Sequence, residues 1–327
     1  MGSDDVTRRE FLQVVGLLAS TGAATQLSGC FHGRAGQSPA SVVDATFAQL
    51  ALRYVREPST SLRGTLLDHP ALEAIERHVQ MSGGKASRAA LLDRVLRNTT
   101  GTNTPGSAVL NTWEGRASEL AARANQAKEF LPAGAPSVRR IYLVTGYDIG
   151  VAVPPDILLN VIHPHFQSAP NELGFYATHE AHHVGFIGIR PPPALSGLET
   201  SQHLLDVVRY FTQLEGMAVH AAFPSRTREG ALDNDADYRV YGDPHARAEV
   251  MSEYKKLLDE IRPNAVLADE TVGRILTGMS SGGRLWYRFG AIVASVIEKT
   301  HGHQQLVATV TTPAAFGAVA DSLLANT

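Results

Sequence analysis

One cysteine, Cys30, stands in 327 residues, so no disulfide can form within the chain and its stability has to come from a packed core. Neither sign of charge is in marked excess. The 29 Lys and Arg against 32 Asp and Glu leave a formal net charge of −3, which points neither to nucleic acid nor to an acidic membrane surface as a partner. The apolar segment near the N-terminus, Val14 to Ala24, is short and only weakly apolar, which excludes it as a permanent membrane-spanning helix. The chain is long enough for one large domain or two lobes.

The most informative stretch is Asn171 to Ile189, with His179-Glu180-Ala181-His182-His183 at its centre. Leu173, Tyr176, Ala177, Glu180, His183, Val184 and Ile187 fall at helical spacing, and no proline interrupts the run. On an α-helix, residues four apart differ by about 40° in azimuth and 6 Å in rise, so the imidazoles of His179 and His183 point the same way and can share a metal ion. Glu180, about 100° round from His179, flanks the same pocket, where a carboxylate reaches water beside a metal without being a ligand. His182 competes with His183 as the second ligand, but only His183 gives the H-E-x-x-H spacing.

A zinc site that does chemistry has three protein ligands and an open position. The next apolar-periodic stretch, Ser201 to Ala222, buries Leu204, Val208, Phe211, Ala218, Val219 and Ala222 on one stripe, and Glu215 falls inside it. A buried carboxylate needs a partner; a metal supplies one, and an arginine such as Arg209 is the structural alternative. Gly216 beside it permits close approach of another backbone. Asp206, His203 and Glu199 are further candidates, as ligands or as groups orienting a ligand histidine.

His179-Glu180-Ala181-His182-His183 followed by Leu214-Glu215-Gly216-Met217-Ala218 resembles the zinc site of gluzincin metallopeptidases, and is particularly similar to uncharacterised bacterial families of zinc-dependent proteases with a Glu-Gly-x-Ala element on the second helix. The resemblance runs from about Arg139 to Leu306. The interval from His183 to Glu215 is longer than in thermolysin-like enzymes, which excludes that particular family. The resemblance implies Zn2+ held by His179, His183 and Glu215, with Glu180 as general base acting on a peptide or protein substrate. It also implies a predominantly α-helical α+β fold, zincin-like and two-lobed, with a small sheet next to the H-E-x-x-H helix. Arg284 to Gly290 is similar to a segment downstream in the same families, which nominates Tyr287 as a catalytic donor to the developing oxyanion; Tyr210, His301 and His303 are alternatives.

Before this core, Thr7-Arg8-Arg9-Glu10-Phe11-Leu12 resembles a twin-arginine export signal, and Leu27-Ser28-Gly29-Cys30 a lipobox at which the cysteine is acylated. The expected organisation is a signal peptide over 1–30, a tether over 31–40, an N-terminal helical region over 41–135, a metal-binding core over 136–223 and a C-terminal helical lobe over 224–327. The expected location is the extracytoplasmic face of a bacterial membrane, anchored through lipid on Cys30.

Helices are expected at Ser41 to Glu57, Pro70 to Met81, Ser87 to Arg97, Ala108 to Phe130, His245 to Arg262, Gly283 to Lys299 with Ser281 as cap and Gly302 past its end, and Pro313 to Leu324. Strands are expected within Arg139 to Tyr147, at Gly150 to Val153, placed at the sheet edge, and at Ile157 to His163. Arg226 to His245 reads as a solvated loop; Asp233, Asp235 and Asp237 alternate there as in a calcium loop, yet Tyr238 stands where glycine is required. His69, His78, His163 and His165 read as ordinary polar residues. Two other functions use the same ligands: a metal-binding surface lipoprotein without catalysis, and a hydrolase of non-peptide substrates.

Overall fold

The computed structural model describes residues 42–81, 84–100, 107–195, 198, 200–261 and 265–327. The export signal, Cys30 and the tether lie outside the described residues.

Helices dominate. The N-terminal part contains α1 (Thr46–Arg56), α2 (Thr60–Leu67), α3 (Pro70–Met81), α4 (Arg88–Thr100), α5 (Ser107–Gly115) and α6 (Ala117–Gln126). The expected helix over Ser41 to Glu57 starts later, because Val42–Asp44 forms a short strand, β1, whose two β-branched residues suit a sheet edge. The expected helix over Ala108 to Phe130 divides between Gly115 and Ala117, and a 3-10 turn (Ala127–Phe130) ends it.

Three more strands follow: β2 (Arg140–Val144), β3 (Gly150–Val153) and β4 (Asp156–Asn160). The sheet order is β1-β2-β4-β3; β1, β2 and β4 run parallel and β3 is antiparallel to β4 at the edge. All five residues of β4 are buried, as expected of a strand covered on both faces.

After the short α7 (Pro164–Ser168) come the two long helices α8 (Glu172–Ile189) and α9 (Ser201–Arg228). The remainder is α10 (Arg239–Gly242), α11 (Pro244–Asp259), α12 (Asp269–Thr277), a π-helical turn (Gly278–Gly282), α13 (Leu285–His301), α14 (His303–Ala308) and α15 (Pro313–Ala325). Gly302, at φ 87°, ends α13 as expected, whereas the residue that caps its start is Arg284 and not the expected Ser281.

Helix α8 is a wall shared by two apolar cores. Leu173, Ala177, Ala181 and Val184 pack on the sheet with Ile141, Ile157 and Leu159, while Phe175, Phe186 and Ile187 join the helical core of Phe211, Trp286 and Phe289. A helix apolar on nearly every face has to be buried on nearly every face. Its position is therefore fixed from both sides.

Helices α9 and α13 approach each other very closely. A Cβ placed on Gly216 would lie 2.1 Å from the Gly290 carbonyl carbon, and one on Gly290 would lie 2.0 Å from the Thr212 oxygen. Only glycine fits at either position, and the two backbones touch directly. One side-chain network ties the same helices together further along. His220 of α9 contacts Glu298 of α13 at 2.7 Å, and His303 contacts the other Glu298 oxygen at 2.6 Å and the Glu129 carbonyl at 2.7 Å. The hydrogen bond from His220 is the main cause that holds the Glu298 carboxyl down at about 2. A carboxyl depressed on folding stabilises above its ordinary pKa and loses that contribution as pH falls through the folded value. Glu298→Gln is expected to unfold about 1 kcal/mol more easily than wild type at pH 7, allowing for its partial exposure, with the difference closing between about pH 4.5 and pH 2. Urea titrations at pH 7, 4 and 3 check this; an unchanged difference at pH 3 would refute it.

Candidate metal centre and catalytic cleft

The 3.6-residue period of α8 places His179 and His183 one turn apart, and α9 brings Glu215 against them. Glu215 Oε2 lies 3.2 Å from His179 Nε2 and 3.1 Å from His183 Nε2, and one ligand atom from each residue falls within 4.8 Å of the others. Zinc bonds of about 2.0–2.2 Å in a tetrahedron set ligand atoms roughly 3.3–3.5 Å apart, so one nitrogen of each histidine and one carboxylate oxygen fit a zinc ion with a further position open. Burial pushes His179 down, toward the neutral imidazole a metal requires. Burial alone would raise Glu215, but the charge of His183 and the hydrogen bonds from both histidines hold it well below the usual carboxylate range. The same carboxylate raises His183 against the effect of burial.

The remaining candidates are placed elsewhere. His182 is buried against Phe186 at 5.8 Å, outside the ligand group. Arg209 pairs with Asp321 on the surface and not with Glu215. Asp206 accepts from Gln202, His203 contacts the Ala194 carbonyl, and Glu199 lies outside the described residues. Asp206 and His203 thus orient neither ligand histidine.

The centre lies in a cavity of about 230 Å³ bounded by α8, α9, the edge strand β3, the π-turn and the start of α13. Glu180 lines it and is almost fully buried; burial is the chief reason its carboxyl is pushed up to about 8, opposed in part by the backbone amide of Ala152 on β3. Gly150 at the start of that strand is so close that its Cβ would meet Glu180 Oε1 at 3.4 Å. The edge strand therefore runs alongside the glutamate. Tyr287 stacks on the His179 ring, centroids 6.1 Å apart and planes 15° from parallel, and burial raises its hydroxyl well above the usual tyrosine value, so it stays a donor. Of the alternatives to Tyr287, Tyr210 donates to the Arg190 carbonyl, and His301 and His303 are exposed; none lines the cavity.

Sequence reasoning gave no cleft role to several lining residues: Asp148, Tyr176, Arg226, Asp237 and Arg284. His78, read as an ordinary polar residue, also reaches the wall, with Nδ1 2.7 Å from the Tyr147 hydroxyl. The stretch read as a solvated loop is mostly exposed, but Arg226, Ala231, Asp237, Tyr238 and Val240 within it are buried. α9 continues through Pro224 to Arg228, and Arg226 is buried against Glu172, with contacts at 2.6 and 2.9 Å. Asp237 is buried too, taken up by Arg284 and Arg288, and Asp235 faces Arg226 at 3.6 Å. Asp235 and Asp237 serve as partners to arginines, which takes up the charge a calcium ion would need, and Asp233 is exposed. His165, Glu172 and Asp235 also lie close enough to form a ligand group, but the Arg226 guanidinium occupies the place of a cation among them.

Residues 108–318, nearly two thirds of the chain, match the model of a family described as "Putative zinc dependent peptidase (DUF5700)". The chain belongs to that family. The match spans every residue placed around the cavity from Asp148 to Tyr287. No match was found among curated proteins or among solved structures.

Proposed function

We propose that the protein hydrolyses peptide bonds, with zinc held by His179, His183 and Glu215 and with Glu180 as general base. The observation that carries this reading is the convergence of those three side chains in one cleft with a buried glutamate that is not a ligand, alongside an edge strand. An extended peptide added to β3 by backbone hydrogen bonding would lay a carbonyl across the cleft beside Glu180. Zinc bound there supplies Lewis acidity, polarising a carbonyl and acidifying water. Glu180 takes the proton of the attacking water and returns it to the leaving amine, a task suited to a carboxyl whose affinity for protons is raised by burial. The Tyr287 hydroxyl donates to the oxygen that gains charge as the carbonyl carbon becomes tetrahedral.

Metal removal tests the reading. A chelator should lower the melting temperature and stop cleavage of a mixed peptide library, and added zinc should restore both; saturation near 1,000-fold over Kd corresponds to about 4 kcal/mol of stability. Glu215→Gln, which replaces one of the three ligands, is expected to weaken zinc binding by about 100-fold or more. Cleavage at an unchanged rate by the stripped protein would rule the reading out. Zinc binding without cleavage of any peptide would leave a metal-binding protein or a hydrolase of other acyl substrates.

A further inference from the structure

Arg284 is the one described residue other than glycine in the left-handed region of backbone space, at φ 51° and ψ 40°. Gly283 alone separates it from the π-turn, and it caps α13 without any side-chain capping bond. A long side chain held in so disfavoured a backbone conformation is being aimed by its surroundings. It is aimed into the cleft. Its guanidinium lies over the Tyr287 ring with Cζ 3.8 Å from the centroid, and Tyr287 in turn stacks on His179 at 6.1 Å. Those two steps put the cation within about 10 Å of a metal ligand, and an extended peptide advances about 3.3–3.6 Å per residue.

The charges around it do not cancel locally. Arg284 Nε donates to Asp237 Oδ2 at 2.7 Å and its Nη2 lies 2.6 Å from the same oxygen, while Arg288 Nε takes Oδ1 at 2.9 Å. One carboxylate thus serves two guanidiniums. Arg284 Nη1 has no hydrogen bond among the described residues, and the side chain keeps about a third of its surface accessible (37%). Arg226, the other guanidinium in the wall, is buried and engaged by Glu172 and Asp235. The remaining charged groups that line the cavity, Asp148, Glu180, Glu215 and Asp235, are acids, so, the metal apart, Arg284 is where the cavity wall offers an anion a place. A cavity of about 230 Å³, below the roughly 300–1,000 Å³ usual for small-molecule pockets, suits a short terminal piece of chain.

We infer that Arg284 binds a substrate carboxylate one or two residues beyond the bond that is cut. This rests on the peptidase reading above. The carboxylate is either the free α-carboxylate of a peptide end, which makes the enzyme a trimmer of C-termini, or an acidic side chain at that position.

The test uses zinc-loaded full-length protein and two pairs of peptides: one sequence with a free or an amidated C-terminus, and an amidated sequence with Glu or Gln one or two residues after the cleaved bond. kcat/KM should be at least about tenfold higher for the carboxylate member of one pair, mostly through KM, which identifies the source. Arg284→Gln should bring that ratio close to one, and Arg284→Lys should keep part of it. Calorimetry on zinc-loaded Glu180→Gln with the same peptides reads the preference without turnover. Equal processing of both members of both pairs overturns the inference and leaves the peptidase reading standing. No cleavage of any peptide, together with tighter binding of the carboxylate member that is lost in the Arg284→Gln, Glu180→Gln double variant, supports the inference and removes the peptidase reading. Equal loss on all four peptides in Arg284→Gln means that the cation acts only on Tyr287, and the inference fails. If Arg284→Gln does not fold, the wild-type ratios decide.

Discussion

Glu180→Gln is expected to lower kcat for peptide cleavage by about 10²–10⁴-fold while zinc content and melting temperature stay at their wild-type values. The substitution keeps shape and hydrogen-bonding capacity and removes only the ability to carry a proton. Because Glu180 is not among the three converging ligands, metal affinity has no reason to fall. Because its carboxyl is almost fully buried and burial already pushes it toward the neutral form, a neutral amide there adds no folding cost. The expected signature is a fall in kcat and kcat/KM together, as for an interaction made only in the transition state. Wild-type turnover in a zinc-loaded variant would show that another group accepts the proton, and loss of zinc would show that Glu180 is a ligand.

The second large effect concerns the scaffold. Gly290→Ala adds a single methyl, yet that Cβ would lie 2.0 Å from the Thr212 oxygen and 2.7 Å from Gly216 Cα, both backbone atoms that cannot rotate away. The two helices would have to separate, and Glu215 sits next to the point of contact. A loss of about 3–5 kcal/mol is expected, roughly 10 °C or more in melting temperature, accompanied by weaker zinc binding. Gly317→Ala on α15 is the control: nothing lies within 4 Å of its added Cβ, so the better helix propensity of alanine should leave stability unchanged or raise it by up to about 1 kcal/mol. Melting curves of the two variants decide. Equal melting temperatures would mean that the helices can part without cost.

How much of this could be read from the chain depended on how local each signal was. His179, Glu180 and His183 are fixed relative to one another by helical period alone, and Glu215 was conspicuous as a charge inside an apolar stripe. Gly216 announced a close backbone, and the structure supplies it at Gly290. Gly150–Val153 was placed at the sheet edge by the resemblance to gluzincin-like folds and not by any signal of its own, and it lies there. Arg226 and Asp237 were misread as solvent-facing because what buries them is remote: their partners Glu172, Arg284 and Arg288 lie 54, 47 and 51 positions away. Polarity indicates exposure only when no opposite charge folds back to meet it, and one sequence does not say which charges meet. The strand Val42–Asp44 was lost for the same reason, since three residues pairing in parallel with Arg140–Tyr142 carry no local period of their own. Arg284 stood in a segment marked by the resemblance, but its left-handed backbone was not legible, because such a conformation at an arginine is imposed by its neighbours and is not written in its own preference.

Helix α8 has a consequence for how this protein can be divided. Its inner residues complete the sheet on one side and the bundle of Trp286 and Phe289 on the other. Neither half owns the rod that carries His179 and His183, so the molecule is no pair of interchangeable cassettes. A lineage could lengthen loops or exchange surface helices freely, but grafting the metal centre onto another framework would mean carrying both hydrophobic beds along with it.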